Sequence, residues 1–184
     1  MDKNIIIDKE IYLTKSSRED KSSLIEFLND DELFNQTLRV PNPYTEKDAE
    51  NWFDYISTFE NENNIRKNWV IKNSKQDLMG HIGFHFPYGI NNETVEVYYW
   101  LGKPYRNKGI MSKVLKGFSD FCFSNLKYRR LEAPIFDFNN ASANVLVKSG
   151  YSFENDLPNH YTKGNKIISA KMYAKTDNEL KSRD

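Results

Sequence analysis

At 184 residues the chain is long enough for one domain with a sizeable core, and 39% hydrophobic with 28% charged residues is ordinary globular composition. Its 26 Lys and Arg balance 26 Asp and Glu, which gives no general attraction to nucleic acid or an anionic membrane surface. No apolar run approaches the ~20 residues of a membrane span, residues 1–8 are too short and too charged for a secretory signal, and the single cysteine, Cys122, allows no internal disulfide; a cytoplasmic protein is expected.

Ile5 to Leu13 reads as an apolar, β-branched opening strand, broken by Asp8, Lys9 and Glu10. Ser16 and Ser17 can cap a helix with Glu19 and Asp20 in its first turn and Leu24, Phe27 and Leu28 on its buried face. Thr37 to Tyr44 is a proline-stiffened loop. Thr45 then caps a helix with Glu46 and Asp48 in its first turn, and Ala49, Trp52, Phe53 and Ile56 recur at helical spacing. Asn61 to Lys67 is polar and reads as a loop. Trp69 to Lys72 and Leu78 to Phe86 read as two strands of a hairpin turned by residues 73–77, and Pro87 to Asn92 turns again.

The stretch from Glu96 to Leu115 organises the rest. Val95, Val97, Tyr99 and Leu101 alternate with Glu96, Tyr98 and Trp100 at the strand period of two, whereas Met111, Val114, Leu115, Phe118 and Cys122 make a helical stripe. Cys122 therefore reads as a core residue. Between strand and helix lies Arg106-Asn107-Lys108-Gly109, rich in donors. The first amides of the new helix have no intrahelical partner and lie at its positive end, so the segment suits a phosphate group. It is neither the dinucleotide fingerprint nor the phosphate-loop signature.

After this helix, Arg130 to Phe136 reads as a strand. Its Pro134 cannot donate to a ladder, which predicts one unpaired side there. Ala141 to Ser149 is a short helix closed by Gly150. Tyr151 to Glu154 and Lys166 to Ala174 are closing strands, with His160 and Tyr161 in the loop between them, and residues 177–184 form a charged tail. With no repeat and no low-complexity tract, one domain over residues 1–176 is expected.

Arg106-Asn107-Lys108-Gly109-Ile110-Met111 resembles the acyl-CoA loop, Arg/Gln-x-x-Gly-x-Gly/Ala, of the GCN5-related N-acetyltransferases (GNATs). Met111 stands where a small residue is usual, but Gly-Ile-Met-Ser is an accepted variant in the subfamily resembling the RimJ/RimL-type ribosomal-protein N-terminal acetyltransferases. Leu38 to Thr45 is similar to that subfamily's Arg-Ile-Pro-x-Pro-Tyr-Thr segment, and Asn139 to Tyr151 to its Asn-x-x-Ser…Val-Leu-x-Lys-x-Gly-Phe segment. The order of elements matches along nearly the whole chain. The resemblance implies an α/β fold with a mixed, mostly antiparallel central sheet, flanking helices, and central strands that splay to admit acetyl-CoA.

The resemblance also implies the roles of residues. The amides of Arg106, Asn107, Lys108, Gly109, Ile110 and Met111 hold the CoA pyrophosphate, with Arg106 and Lys108 adding charge. Tyr99, Trp100 and Leu101 present backbone groups to the pantetheine arm, and one of their amides polarises the thioester carbonyl. Asn139 bonds the pantetheine. Ser142 donates a proton to the leaving thiolate, since the tyrosine many members use is replaced by Leu146. Glu96 matches the acid of the subfamily's Glu-x-Gly-Tyr-Trp strand and acts as general base, directly or through water; a solvated strand charge or a structural ion pair is its other reading. Freeing a lysine-type amine at neutral pH costs about 4–5 kcal/mol, but an α-amine only about 1–1.5 kcal/mol, which favours an α-amine. Tyr44, His81, His160 and Tyr161 are assigned to the acceptor pocket. His81 and His85 share a strand face without a third ligand, so no metal is expected. Phe84, Phe86, Tyr98, Tyr99 and Trp100 lack the basic patch of a nucleic-acid stacking surface. Ser169 stands near the place of an aspartate frequent in the family's last strand.

The expected activity is transfer of acetyl from acetyl-CoA to a primary amine by direct attack, foremost a protein or peptide N-terminal α-amine. A small amine (polyamine, amino acid or antibiotic) or a non-catalytic acyl-CoA-binding module are the alternatives. Neither nucleic acid nor membrane is an expected partner, and the chain is expected as a monomer or homodimer.

Overall fold

The computed structural model describes residues 4–177. Eight strands form one mixed, mostly antiparallel sheet in the order β1-β2-β3-β4-β5-β6-β8-β7, with β5 and β6 as its parallel pair. The chain divides into two compact units: the residues up to Gly83 with Tyr99–Ile110, and Phe84–Tyr98 with the residues from Met111 on.

In the first unit the expected opening strand is a hairpin, β1 (Ile5–Ile6) and β2 (Ile11–Thr14), with Ile5 opposite Leu13. The Asp8 carboxylate accepts from the amides of Glu10 (2.8 Å) and Ile11 (3.0 Å), and this side-chain turn reverses the chain where the strand was expected to be merely interrupted. Antiparallel ladders continue through β3 (Asn68–Asn73) to β4 (Leu78–His85). Ser17 and Asp20 form a capping box on a 3-10 turn, Arg18–Asp20, that leads into α1 (Lys21–Leu28). Asp30 caps an unanticipated helix, α2 (Asp31–Gln36), through the amide of Leu33. Thr45 and Asp48 form the box that opens α3 (Glu46–Asn63). This helix runs into the expected polar loop and stops at Asn64, whose φ of 54° leaves the helical region.

The apolar stripes of these helices supply the first unit's core: Leu24, Phe27, Leu28, Leu33, Ala49, Phe53 and Ile56, with Tyr44, Val70 and Leu78. Full burial of a large apolar side chain contributes ~1.5–3 kcal/mol. Gly80 on β4 is forced by close approach, since a Cβ there would lie 2.2 Å from the carbonyl oxygen of Trp100.

The second unit holds the first residues of β5 (Thr94–Leu101) against β6 (Arg130–Phe136). Their parallel register is Thr94 with Arg130, Val95 with Leu131 and Glu96 with Glu132. It ends there, two residues before Pro134, which matches the unpaired side that proline predicts. On its other side β6 pairs with β8 (Lys166–Thr176) from Arg130–Thr176 to Phe136–Ala170, through Pro134 itself. Helix α4 (Ile110–Ser124) buries Met111, Val114, Leu115, Phe118 and Cys122, the stripe read from the spacing. Helix α5 (Asn140–Lys148) follows β6, and Gly150 beyond its end has φ 87°.

β7 (Ser152–Lys163) is a correction. It was expected to end at Glu154 but continues for nine more residues against β8. His160 and Tyr161 are therefore strand residues, with Tyr161 opposite Ile168, and register shifts accommodate the polar stretch between. Apart from Asp177, the expected charged tail lies outside the described residues. Among the described residues no helix is long and apolar enough to cross a membrane.

Candidate active site

In the first unit, the end of β5 leads into the candidate cofactor loop. Tyr99 and Trp100 are half-buried and Leu101 is buried. The amide of Gly102 donates to the carbonyl of Met79 (2.9 Å), and a 3-10 turn follows at Lys103–Tyr105. Arg106 comes next, then Asn107 (φ 61°) and Gly109 (φ 72°), two left-handed residues on either side of Lys108. Residues 107–109 are exposed, and α4 begins at Ile110. Helices α2 and α3 carry Asp31 and Glu32, and Glu46 and Asp48, in their first turns, whereas α4 carries no acid there. Its positive end is left without a compensating side chain of its own, as an anion site requires.

The Arg106 guanidinium is fully engaged with its own chain at two of its nitrogens. Nε donates to the Leu101 carbonyl (2.9 Å), while Nη1 reaches Asp30 Oδ1 (3.3 Å) and Glu32 Oε2 (3.0 Å). Burial would raise the Asp30 carboxyl; the hydrogen bond from the Leu33 amide and the charge of Arg106 outweigh it and hold the group below the ordinary carboxylate value. Tyr44 is buried in the core of this unit, clamped at its backbone by the Asn29 amide group (2.8 and 2.9 Å), and burial pushes its phenol up to about 12. His81 is likewise buried, edge-on to Trp52 and stacked on Trp100 (centroids 5.3 and 6.4 Å). An open groove of about 560 Å³ is lined by Glu26, Asp30, Asp31 and Glu32, with Lys103.

In the second unit, Glu96 and Glu132 are in register on neighbouring parallel strands, so their side chains share a face. Glu96 is half-buried and Glu132 buried. Arg130 Nε donates to Glu132 (2.7 Å) and its Nη1 to Glu154 (2.8 Å), while the Tyr88 hydroxyl donates to the other oxygen of Glu132 (3.3 Å). The negative charge of Glu132 raises the Tyr88 phenol, and Glu96 adds to it. This places Tyr88, Glu96 and Glu132 in one electrostatic cluster. Sequence reasoning singled out only Glu96 of the three, because the Glu132 partnership depends on the parallel register.

Asn139 is buried and caps α5, its side-chain oxygen accepting from the Ser142 amide (3.0 Å). Ser142 is half-buried in the first turn, and Leu146, one turn later, is fully buried. His160 is exposed and contacts Tyr161 edge-on (4.5 Å); Tyr161 packs against Phe136 (5.7 Å). His85 stacks on Tyr98 (4.3 Å). Cys122 is sealed in α4, and burial pushes its thiol well above the ordinary range. Among the described residues no group of three or more His, Cys, Asp or Glu is placed to hold a metal ion.

The model of the acetyltransferase (GNAT) domain matches residues 10–152 of this chain. YjcK of Bacillus subtilis, a probable N-acetyltransferase, is 36% identical over 62 residues, which are 34% of this chain and 34% of that protein; the match thus spans about a third of the relative's length. Among solved structures, an acetyltransferase (GNAT family) from Bacillus anthracis is 24% identical with a TM-score of 0.80, covering 95% of this chain and 98% of that one. RimL, a ribosomal L7/L12 α-N-protein acetyltransferase in complex with coenzyme A, is 18% identical with a TM-score of 0.83 over the same shares. At these identities the two structures establish the shared fold.

Proposed function

This chain belongs to the GNAT acetyltransferase family, and from that premise we propose that it transfers acetyl from acetyl-CoA to the α-amine of a protein or peptide N-terminus. The observation that supports this acceptor is the carboxylate character of the base site, Glu96 beside Glu132 with Tyr88. A carboxylate is a weak base. It suffices for an α-amine, whose deprotonation at neutral pH costs about 1–1.5 kcal/mol, far better than for a lysine-type amine at about 4–5 kcal/mol.

Glu96 takes a proton from the bound ammonium, directly or through water. The freed amine attacks the thioester carbonyl carbon, and an amide of Tyr99 to Leu101 stabilises the oxyanion. The attacking nitrogen gives up its second proton to water as the intermediate collapses and the C–S bond breaks, and Glu96 returns the proton it took to solvent. Ser142 gives its proton to the thiolate and recovers one from solvent; the thiolate, with a pKa of about 8.5, needs little help. The first-turn amides of α4, with residues 106–109, receive the pyrophosphate. The Asn139 side-chain oxygen caps α5 at the Ser142 amide, and its amide group bonds the pantetheine.

A second reading, a small polycationic amine acceptor, draws on the acidic groove of Glu26, Asp30, Asp31 and Glu32. CoA release measured against a panel of N-terminal peptides, amino acids and polyamines separates the two. Turnover is expected on the peptides, with Glu96→Gln lowering kcat/KM by about 10²–10⁴-fold and Ser142→Ala by less. Turnover on polyamines alone would replace the first reading by the second, and full activity of Glu96→Gln would remove its assigned role.

A further inference from the structure

Arg106 opens the candidate pyrophosphate loop, and the simplest role for it is to place positive charge on the phosphates. Its surroundings argue otherwise. Its side chain is only 20% exposed, and Nη1 lies between Asp30 and Glu32, 3.3 and 3.0 Å away. Two carboxylates so close largely cancel the field of one guanidinium. Nε is committed to the Leu101 carbonyl at the end of β5. The fork thus joins three points of the first unit: the last residue of β5, the cap of α2 and the first turn of α2. Beyond Arg106 the chain has little else to brace it. Residues 107–109 are exposed, two of them are left-handed, and open space surrounds the position a Gly109 side chain would take. Aimed backbone amides work only if the loop is held before the ligand arrives.

We propose that Arg106 is a positioning residue, and that Asp30 and Glu32 share this role: the three clamp the pyrophosphate loop to the start of α2 so that its amides are set for the anion. The proposal rests on the reading that this loop receives the CoA pyrophosphate. It inverts the expected sign of one set of mutations. Where Arg106 contacts phosphate directly, removing its carboxylate partners frees a cation and tightens CoA binding. Where Arg106 is a clamp, the same change weakens binding although it makes the protein more positive.

The test is calorimetric titration of CoA into the unmodified protein and the variants Glu32→Gln, Asp30→Asn/Glu32→Gln, Arg106→Lys and Arg106→Gln, with apo thermal melts to establish folding. Acetyl-CoA and acetyl-pantetheine, which lacks the pyrophosphate, are then compared as donors. The double carboxylate variant is expected to lose about tenfold in CoA affinity. Arg106→Lys keeps the charge but not the fork and should lose nearly as much as Arg106→Gln. KM for acetyl-CoA should rise while kcat and the KM for acetyl-pantetheine hold. Tighter or unchanged CoA binding in the carboxylate variants, or full rescue by lysine, would overturn the clamp and leave the cofactor reading standing. No CoA binding by the unmodified protein would overturn the cofactor reading, and the clamp with it.

Discussion

Arg106 and Arg130 are each held by two carboxylates, Asp30 and Glu32 for the first, Glu132 and Glu154 for the second. Arg130 lies on β6, where ladders to Thr94 on one side and Thr176 on the other already fix its backbone. Its ion pairs can only orient side chains; they secure Glu132, the in-register neighbour of Glu96. Arg106 lies between a 3-10 turn and a left-handed residue, outside any ladder, and its bonds hold the main chain itself. Similar ion pairs therefore do different things. Exposed pairs are commonly worth only ~0–1 kcal/mol, and what matters is how much freedom the backbone would have without them.

The harshest way to break this contrast is to move the frame on which Arg106 hangs. Gly80→Ala puts a Cβ 2.2 Å from the Trp100 carbonyl oxygen and 2.9 Å from the Leu101 side chain, so backbone must shift. We expect destabilisation of about 3 kcal/mol and a parallel fall in CoA affinity, because Leu101 carries the carbonyl that Arg106 holds. Chemical denaturation with CoA titration checks both, and an unchanged midpoint would mean the strands absorb the side chain. Arg130→Gln should sharpen the contrast. It deprives buried Glu132 of its shortest hydrogen bond and costs about 1–3 kcal/mol in a thermal melt, while CoA affinity holds. An affinity loss as large as that of Arg106→Gln would erase the distinction. The smallest effect is expected in acid. Asp30 has a folded pKa below its unfolded value, so its contribution is present above the ordinary carboxylate pKa of about 3.9 and is lost as pH falls through the lower folded value. Asp30→Asn lacks that contribution at every pH, and its stability should fall less steeply below about pH 4 than that of the unmodified protein. Parallel acid titrations of stability would show that carboxylate is not engaged in the fold.

Local chemistry made much of this legible in one dimension. The Thr45–Asp48 box, the stripe from Met111 to Cys122 and the Gly150 stop all involve residues within a few turns of each other, so their spacing carries the information. Helix α2 was missed because six residues hold too few apolar positions to reveal a period, although Asp30 and the acids after it mark a helix start. The second half of β7 was missed for the opposite reason. Asn155, Asp156, Pro158 and Asn159 read as turn residues, and the ladder to β8 overrides that preference.

The sequence by itself determined the family and the strand–loop–helix of β5 and α4, and it singled out Glu96 and Ser142 for the proposed chemistry, because each resides in a contiguous segment. Tertiary structure decided which charges meet. Arg106 reaches partners 74 and 76 residues away, and Glu96 gains Glu132 only through a parallel register that Pro134 does not extend. Electrostatic interaction depends on distance through space, which separation along the chain does not encode.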